Sequence, residues 1–149
     1  MSEDKGVYIP QEAVESSKAK KKARRTLRQL PIYRDASNLV SMVVDLYDAK
    51  DMPKRMTKYI DSVLLTVKEG KKCIGLAEAS RDAKERAEYL KIARVLIEDV
   101  YDDIIILSHK NKISKETEKR MKAQAQSVVA QCVAWRDYTN DQGVSVVDS

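Results

Sequence analysis

The 149 residues carry 28 Lys and Arg against 23 Asp and Glu, a net charge of +5, with 43% hydrophobic residues, 5% aromatics and no Phe. That length suits one domain with a core large enough to stand without staples. With only four Gly, three Pro and two Cys, the composition argues against a disulfide framework or a zinc knuckle and for a helical chain.

The opening stretch, MSEDKGVYIPQ, has no apolar core of the kind a secretory signal needs, so the cytoplasm is the expected compartment. Residues 1–15 are mixed in composition and read as a flexible N-terminus. Residues 16–30 form a basic arm: Lys18, Lys20, Lys21, Lys22, Arg24, Arg25 and Arg28 stand together, and residues 16–31 contain no acid. The rest of the chain holds 21 basic and 23 acidic residues, a net of −2, so the positive charge is placed rather than diffuse. Ser16 or Ser17 can cap a helix there, with Ala19, Ala23, Leu27 and Leu30 as its thin apolar stripe. Such a stripe buries little by itself, and the helix would need a partner or the body of the protein.

Pro31 suits the first turn of a new helix. In PIYRDASNLVSMVVDLYDAK, the residues Tyr33, Ala36, Val40, Val43 and Tyr47 recur at spacings of 3, 4, 3 and 4. Pro53 opens the second helix, whose seam is Met56, Ile60, Val63, Val67, Gly70, Ile74 and Ala77. Glycine costs about 1 kcal/mol of helix propensity relative to Ala, so Gly70 in a seam signals a close approach by another helix. A third helix from about Asp82 to Ser108 is lined by Ala83, Ala87, Leu90, Ala93, Ile97, Val100, Ile104 and Leu107, with Ile92, Leu96 and Ile105 widening the apolar face. After HKNKIS, Ser114 is the expected cap of a fourth helix with Glu116 in its first turn and Met121, Ala125, Val128, Cys132 and Trp135 in its seam. Residues 139–149 read as a flexible polar tail. Four helices with short connections predict an all-α, antiparallel up-down-up-down bundle over residues 31–138. At 1.5 Å per residue the second helix is about 40 Å long, which makes the bundle elongated.

Catalytic chemistry finds no foothold. A di-iron bundle needs paired Glu-x-x-His motifs, and His109 is the only histidine. Glu98, Asp99, Asp102 and Asp103 cluster on the third helix as a solvated or protein-facing acidic surface. Cys132 falls in a seam, which predicts a buried, inert thiol. Cys73 stands next to Lys71 and Lys72, cations able to lower its pKa, but no activating base accompanies it. EGKKCIG lacks the spacing of a phosphate loop and falls in a helix. No enzyme activity, cofactor or metal is expected.

The basic residues carry the information. Beyond the arm, Lys54, Arg55, Lys58, Lys68, Lys71 and Lys72 face only Asp61 and Glu69 within residues 53–72, and Lys112, Lys115, Lys119, Arg120 and Lys122 gather at the start of the fourth helix. Exposed lysines on a bundle are often solvation alone; together with the arm they make a surface that reads phosphates. Without aromatic platforms, such binding is salt-sensitive and weak in sequence preference. A membrane surface would want large apolar anchors opposite the charge, and Leu27 and Leu30 are too few.

Several words of the sequence, in order, resemble a known family. PIYRDASNLVSMVVDLYDAK is similar to its opening helix, IGLAEASR at 74–81 to the region closing its second helix, EYLKIARVLIED at 88–99 to a third-helix segment with Arg94 and Glu98 one turn apart, and SKETEKRMKAQ to the start of its last helix. The family is that of the four-helix-bundle proteins encoded in 23S rRNA intervening sequences, which includes the accessory variability determinant proteins of diversity-generating retroelements. The resemblance covers about residues 31–138; Gly75 and Ala79 depart from the family pattern, and the arm and tail lie outside it. It implies a homo-oligomer, in this family a pentamer of parallel bundles, with no activity of its own. For the retroelement branch it implies a reverse transcriptase partner, an RNA or DNA template and a role in mutagenic retrohoming. The alternative within the family is a scaffold acting through protein contacts without a retroelement.

Overall fold

The computed structural model describes residues 30–49 and 52–148, with side chains through residue 140. The arm residues Lys18, Lys20, Lys21, Lys22, Arg24, Arg25 and Arg28 lie outside the described residues. What is described is all-helical, without strands: α1 (Pro31–Asp45), α2 (Thr57–Ala79), α3 (Ala83–His109) and α4 (Lys115–Asp148). Each helix packs on its neighbours in sequence, and α1 closes the ring against α4. One apolar core runs through all four.

Pro31 occupies the start of α1, where its fixed φ is already helical and its missing N–H goes unneeded. The buried residues of α1 are Ile32, Ala36, Leu39 and Val43, continued by Leu46 in the following 3-10 turn Leu46–Asp48. This corrects the expected stripe. Ala36 and Val43 are shared, but Tyr33, Val40 and Tyr47 sit half-buried on the shoulder, one residue around the helix. The branched aliphatics take the centre because a tyrosine must keep its hydroxyl partnered. Tyr47 donates to the Asp61 carboxylate, and the Tyr33 ring lies under the Lys71 ammonium, 5.1 Å from its centroid.

The second helix starts later than Pro53. Pro53 precedes a 3-10 turn, Lys54–Met56, and the α-helical backbone begins at Thr57. From there the expected seam is the observed one: Ile60, Val63, Val67, Gly70, Ile74 and Ala77 are all buried, while Met56 is half-buried in the turn. The close approach inferred at Gly70 is present. A β-carbon built there would lie 2.8 Å from Ile97 Cδ1, 3.3 Å from its Cγ1 and 3.6 Å from Leu96 Cβ on α3.

The corner between α2 and α3 is held by one arginine. Arg86 Nε donates to the Ala77 carbonyl at 2.9 Å and its Nη2 to the Ser80 carbonyl at 2.6 Å, partnering oxygens that the end of a helix leaves open. The same guanidinium lies over the Trp135 ring of α4 at 5.8 Å. Asp82 caps α3, its side chain accepting from the Lys84 N–H at 3.3 Å.

α3 buries Leu90, Ala93, Ile97, Val100, Ile104 and Leu107, the latter part of the expected seam, with Ala83 and Ala87 half-buried near its start. It ends in a Schellman turn. The Lys112 N–H bonds to the Leu107 carbonyl at 2.8 Å and the Asn111 N–H to the Ser108 carbonyl at 2.9 Å, with Asn111 at φ 58°. Asparagine is the residue besides glycine that enters this left-handed region most readily. Ser114 then caps α4 as expected, its Oγ accepting the Thr117 N–H at 3.0 Å. Buried Met121, Ala125, Val128 and Cys132 form the α4 seam. The backbone stays helical to Asp148, past the boundary at 138 that the polar composition suggests, and Thr139 is buried.

Two predictions follow from this packing. Gly70→Ala should gain about 1 kcal/mol of helix propensity and lose more to overpacking, typically about 1–3 kcal/mol, for a net loss on the order of 1 kcal/mol in urea unfolding. In an Ile97→Val background the 2.8 Å neighbour is gone, and the same substitution should become neutral or stabilising. At the second corner, the buried Ser108 hydroxyl donates to Glu118 at 2.6 Å, and Lys115 and Lys122 each lie 3.6 Å from that carboxylate. The Ser108 hydrogen bond first, then the two lysines, hold the Glu118 carboxyl below its ordinary 4.5, against partial desolvation. A depressed carboxylate adds stability that is complete above its unfolded pKa and lost as pH falls through the folded one. The stability difference between wild type and Glu118→Gln, present at pH 7, should therefore shrink once the pH drops below 4.5. Ser108→Ala should raise the Glu118 pKa, read by carboxyl NMR.

Candidate nucleic-acid interface

The α2 seam turns one face of that helix to the core, so the residues half a turn away face solvent. Lys54, Lys58, Asp61, Leu65, Lys68 and Lys72 follow one another at spacings of 4, 3, 4, 3 and 4, the same heptad rhythm as the seam, and all are exposed. Six of the sequence-predicted site residues belong to this region. Lys54 and Arg55 stand in the 3-10 turn ahead of α2, Lys58 in its first turn, and Lys68 and Lys72 about three and four turns further on. The spacing of Lys58 and Lys68 is about 15 Å along the axis. Asp61 lies in the gap with Tyr47 bonded to it, so the stripe is two basic clusters rather than one continuous band.

Lys71 differs from the others. It is half-buried with its ammonium over Tyr33, a cation–π contact that ties α2 to α1. Lys122 on α4 does the same over Tyr101 of α3, at 5.5 Å. Both cations have structural work, which leaves Lys54 and Arg55 of the preceding turn and Lys58, Lys68 and Lys72 of α2 as the cations of this region facing solvent.

Sequence reasoning overlooked how apolar the outer faces are. Leu65 is 63% exposed inside the lysine stripe, and Leu76 is also exposed on α2. On α3, Ile92, Val95 and Ile106 are exposed, while Leu96 and Ile105 are half-buried. Of the residues expected to widen the α3 face, Ile92 is exposed and Leu96 and Ile105 are half-buried; Val95 and Ile106, which that expectation did not include, are exposed too. The signal for it was available: Val95 and Ile106 fall outside every seam position and are followed by no polar periodicity of their own.

The acidic group on α3 divides by role. Glu98 accepts from Arg94 Nη1 at 3.0 Å, one turn away. Asp103 is half-buried and accepts the Tyr59 hydroxyl of α2 at 2.7 Å. Burial pushes the Asp103 carboxyl up; the Tyr59 hydrogen bond works in the other direction, and Asp99 and Asp102 add to the rise. The Tyr59 hydroxyl is pushed up by its own burial and by that bond. Asp99 and Asp102 are left exposed beside Ile92, Val95 and Ile106. Among the described residues, no group of three or more His, Cys, Asp or Glu side chains is gathered to hold a metal ion.

Neither thiol is poised for chemistry. Burial and the Glu69 carboxylate push the Cys73 thiol up and outweigh Lys72, which corrects the expectation that neighbouring lysines lower it. Cys132 is buried, and that burial raises its thiol to about 12 despite Arg94 and Arg136 nearby. A nucleophilic cysteine needs the opposite shift.

Among the described residues no helix is long and apolar enough to cross a membrane. No protein-family model matches the chain, and no curated protein sequence matches it.

Proposed function

We propose that this chain is a non-enzymatic accessory protein that binds nucleic acid through charge, assembles as a homo-oligomer, and assists a retroelement reverse transcriptase in the manner of the retroelement branch it resembles. The observation that carries the reading is the placement of charge: seven basic residues and no acid in residues 16–31, on a chain otherwise at −2. The exposed α2 lysines extend that surface onto the bundle. Phosphate neutralisation by such groups needs no base readout and supplies affinity that depends on salt.

The antiparallel up-down-up-down topology belongs to the same reading. Cross-helix partners run in opposite order along each neighbouring pair: Tyr47 with Asp61 and Tyr33 with Lys71 for α1 and α2, Tyr59 with Asp103 and Gly70 with Ile97 for α2 and α3, Ser108 with Glu118 and Arg86 with Trp135 for α3 and α4. Oligomer formation is supported by Ile92, Val95 and Ile106, three exposed branched residues on one long helix, a face of the kind that marks contact with another protein. A pentamer of parallel bundles would array five basic arms and multiply their avidity. The cytoplasm is the compartment this function calls for.

A second reading has its own observation. The α3 face couples those apolar residues to the exposed carboxylates of Asp99 and Asp102, which suits a scaffold acting through protein contacts and needing no nucleic acid.

The decisive measurement is binding of a short structured RNA and a DNA duplex across a series of salt concentrations. It compares the full chain with one in which Lys18, Lys20, Lys21, Lys22, Arg24, Arg25 and Arg28 are Gln, and with one in which Lys54, Lys58, Lys68 and Lys72 are Gln, and follows oligomer size by light scattering. Wild type should lose affinity steeply with salt. The arm variant should lose at least tenfold at low salt and flatten the log–log slope by about 0.7–0.9 for each phosphate contact removed, with its oligomer unchanged. The α2 variant should flatten the slope less. Absence of binding by the wild-type protein overturns the nucleic-acid reading and leaves the scaffold.

A further inference from the structure

A cavity of about 550 Å³ opens at the end of the bundle where α1 finishes and α3 turns into α4. That volume falls in the range of small-ligand pockets, and none of the residues on its charged rim has a place in the lysine stripe. Met42 from the last turn of α1, Leu46 from the 3-10 turn after it and Met121 from α4 give it an apolar floor. Thioethers are soft and polarizable and pack well against flat aromatic rings. Around the rim stand Lys112, Lys115 and Arg120, with the Asp45 carboxylate as the acidic member of the lining.

The two corners of the chain build this arrangement. The left-handed Asn111 reverses the backbone and sets Lys112 at the rim. Ser114 Oγ accepts the Thr117 N–H, which satisfies one amide of the first turn of α4 and fixes where that helix starts beside the cavity. The Glu118 carboxylate in the first turn of α4 is occupied by Ser108, Lys115 and Lys122. Lys115 is thereby committed, whereas Lys112 and Arg120 enter no ion pair with any described carboxylate. The site thus offers two uncommitted cations, one hydrogen-bond-accepting carboxylate and an apolar floor within a single cavity.

We propose that this cavity binds a nucleoside monophosphate unit. Lys112 and Arg120 take the phosphate, as point charge and as fork respectively. Half-buried Met42 covers one face of the base, backed by the buried Leu46 and Met121, and Asp45 accepts from a sugar hydroxyl or an exocyclic amine. An inorganic anion would leave the apolar floor unused, and an uncharged aromatic would leave the cations unused. The unit comes either as free nucleotide or as the phosphorylated end of a nucleic-acid strand. The site uses neither the lysine stripe of α2 nor the basic arm; its cations come from the basic group at the start of the fourth helix.

The test is titration of the full-length protein with adenosine 5′-monophosphate, adenosine, inorganic phosphate and the 5′-phosphorylated dinucleotide pApA. It is followed by calorimetry and by amide NMR shifts. The monophosphate should saturate one site per chain and move the amides of residues 108–121. Adenosine and phosphate alone should each bind at least tenfold more weakly. Arg120→Gln and Lys112→Gln, both outside the core, should each weaken the monophosphate about tenfold or more, the worth of a charge-assisted hydrogen bond, with unchanged melting. Asp45→Asn should weaken the nucleotide and leave phosphate unaffected. Lys58→Gln with Lys72→Gln should change nothing. Tighter binding of pApA than of the monophosphate assigns the site to a strand end, and equal binding to the free nucleotide; either supports the cavity. Failure of the monophosphate to saturate at millimolar concentration, shifts confined to α2, or indifference to both Arg120→Gln and Lys112→Gln overturns it.

Discussion

Between α2 and α3 there is room for a hydrogen atom and no more at residue 70. Ile97 occupies the space a β-carbon would take, 2.8 Å from its built position, and from that contact much of the molecule follows. It fixes the rotation of α2 about its axis, because Gly70 must face α3 and the residues before and after it in the heptad, Val67 and Ile74, then share the same core. With that face committed inward, the residues half a turn away have no choice of environment. Lys54, Lys58, Lys68 and Lys72 are exposed because the seam is where it is, and their common stripe repeats its spacing. The rotation of α3 is set at the same contact, which leaves Ile92, Val95 and Ile106 outside. A basic stripe on one helix and an apolar face on the next are thus two consequences of one packing constraint.

The corners complete what the seams begin. Heptads specify which side of a helix is buried and say little about how its ends meet. Arg86 bonds the last carbonyls of α2 and reaches Trp135 of α4, so three helices are tied at that end by a side chain whose charge is held over an aromatic face. At the opposite corner, Ser108, Glu118, Lys115 and Lys122 form a connected polar group around one carboxylate. Its best-exposed ion pair, to Lys115, contributes modestly to stability. Its larger effect is positional: it holds the turn beside the cavity and occupies Glu118 and Lys115, while Lys112 and Arg120 pair with no carboxylate among the described residues.

Most of the architecture was legible because apolar periodicity is local. The α2 seam came out residue for residue from Ile60 to Ala77, and the Ser114 cap followed from residue type and place. α1 was read one residue out of phase. Two stripes share Ala36 and Val43 there, one completed by Ile32, Leu39 and Leu46, the other by Tyr33, Val40 and Tyr47, and periodicity alone ranks them equally. What separates them is the tertiary partner of each tyrosine, Asp61 and Lys71, which no window along the chain contains. Cys73 was misjudged for a similar reason: its lysine neighbours are visible in sequence, its burial is not. The cavity was wholly illegible, since its walls come from residues 42–49 and 108–121 and only the fold brings them together.

Charge and apolar surface are often taken as competing signatures, one for nucleic acid and one for protein. Here they lie on different elements and need not compete. Lys71 and Lys122 are held over tyrosine rings between helices, so the count of basic residues overstates the bundle's reach toward phosphate, and the case for nucleic acid rests more heavily on residues 16–31. A single arm of seven charges is a weak, salt-labile ligand for a polyanion. Its effectiveness depends on copies being held together, because a second arm on the same assembly meets an already bound strand at high effective concentration. In the proposed function, the exposed isoleucines and valine of α3 are the surface that would hold them. The proposed function joins the two signatures in one mechanism: the apolar face would supply the assembly that makes the charged arm strong enough to matter.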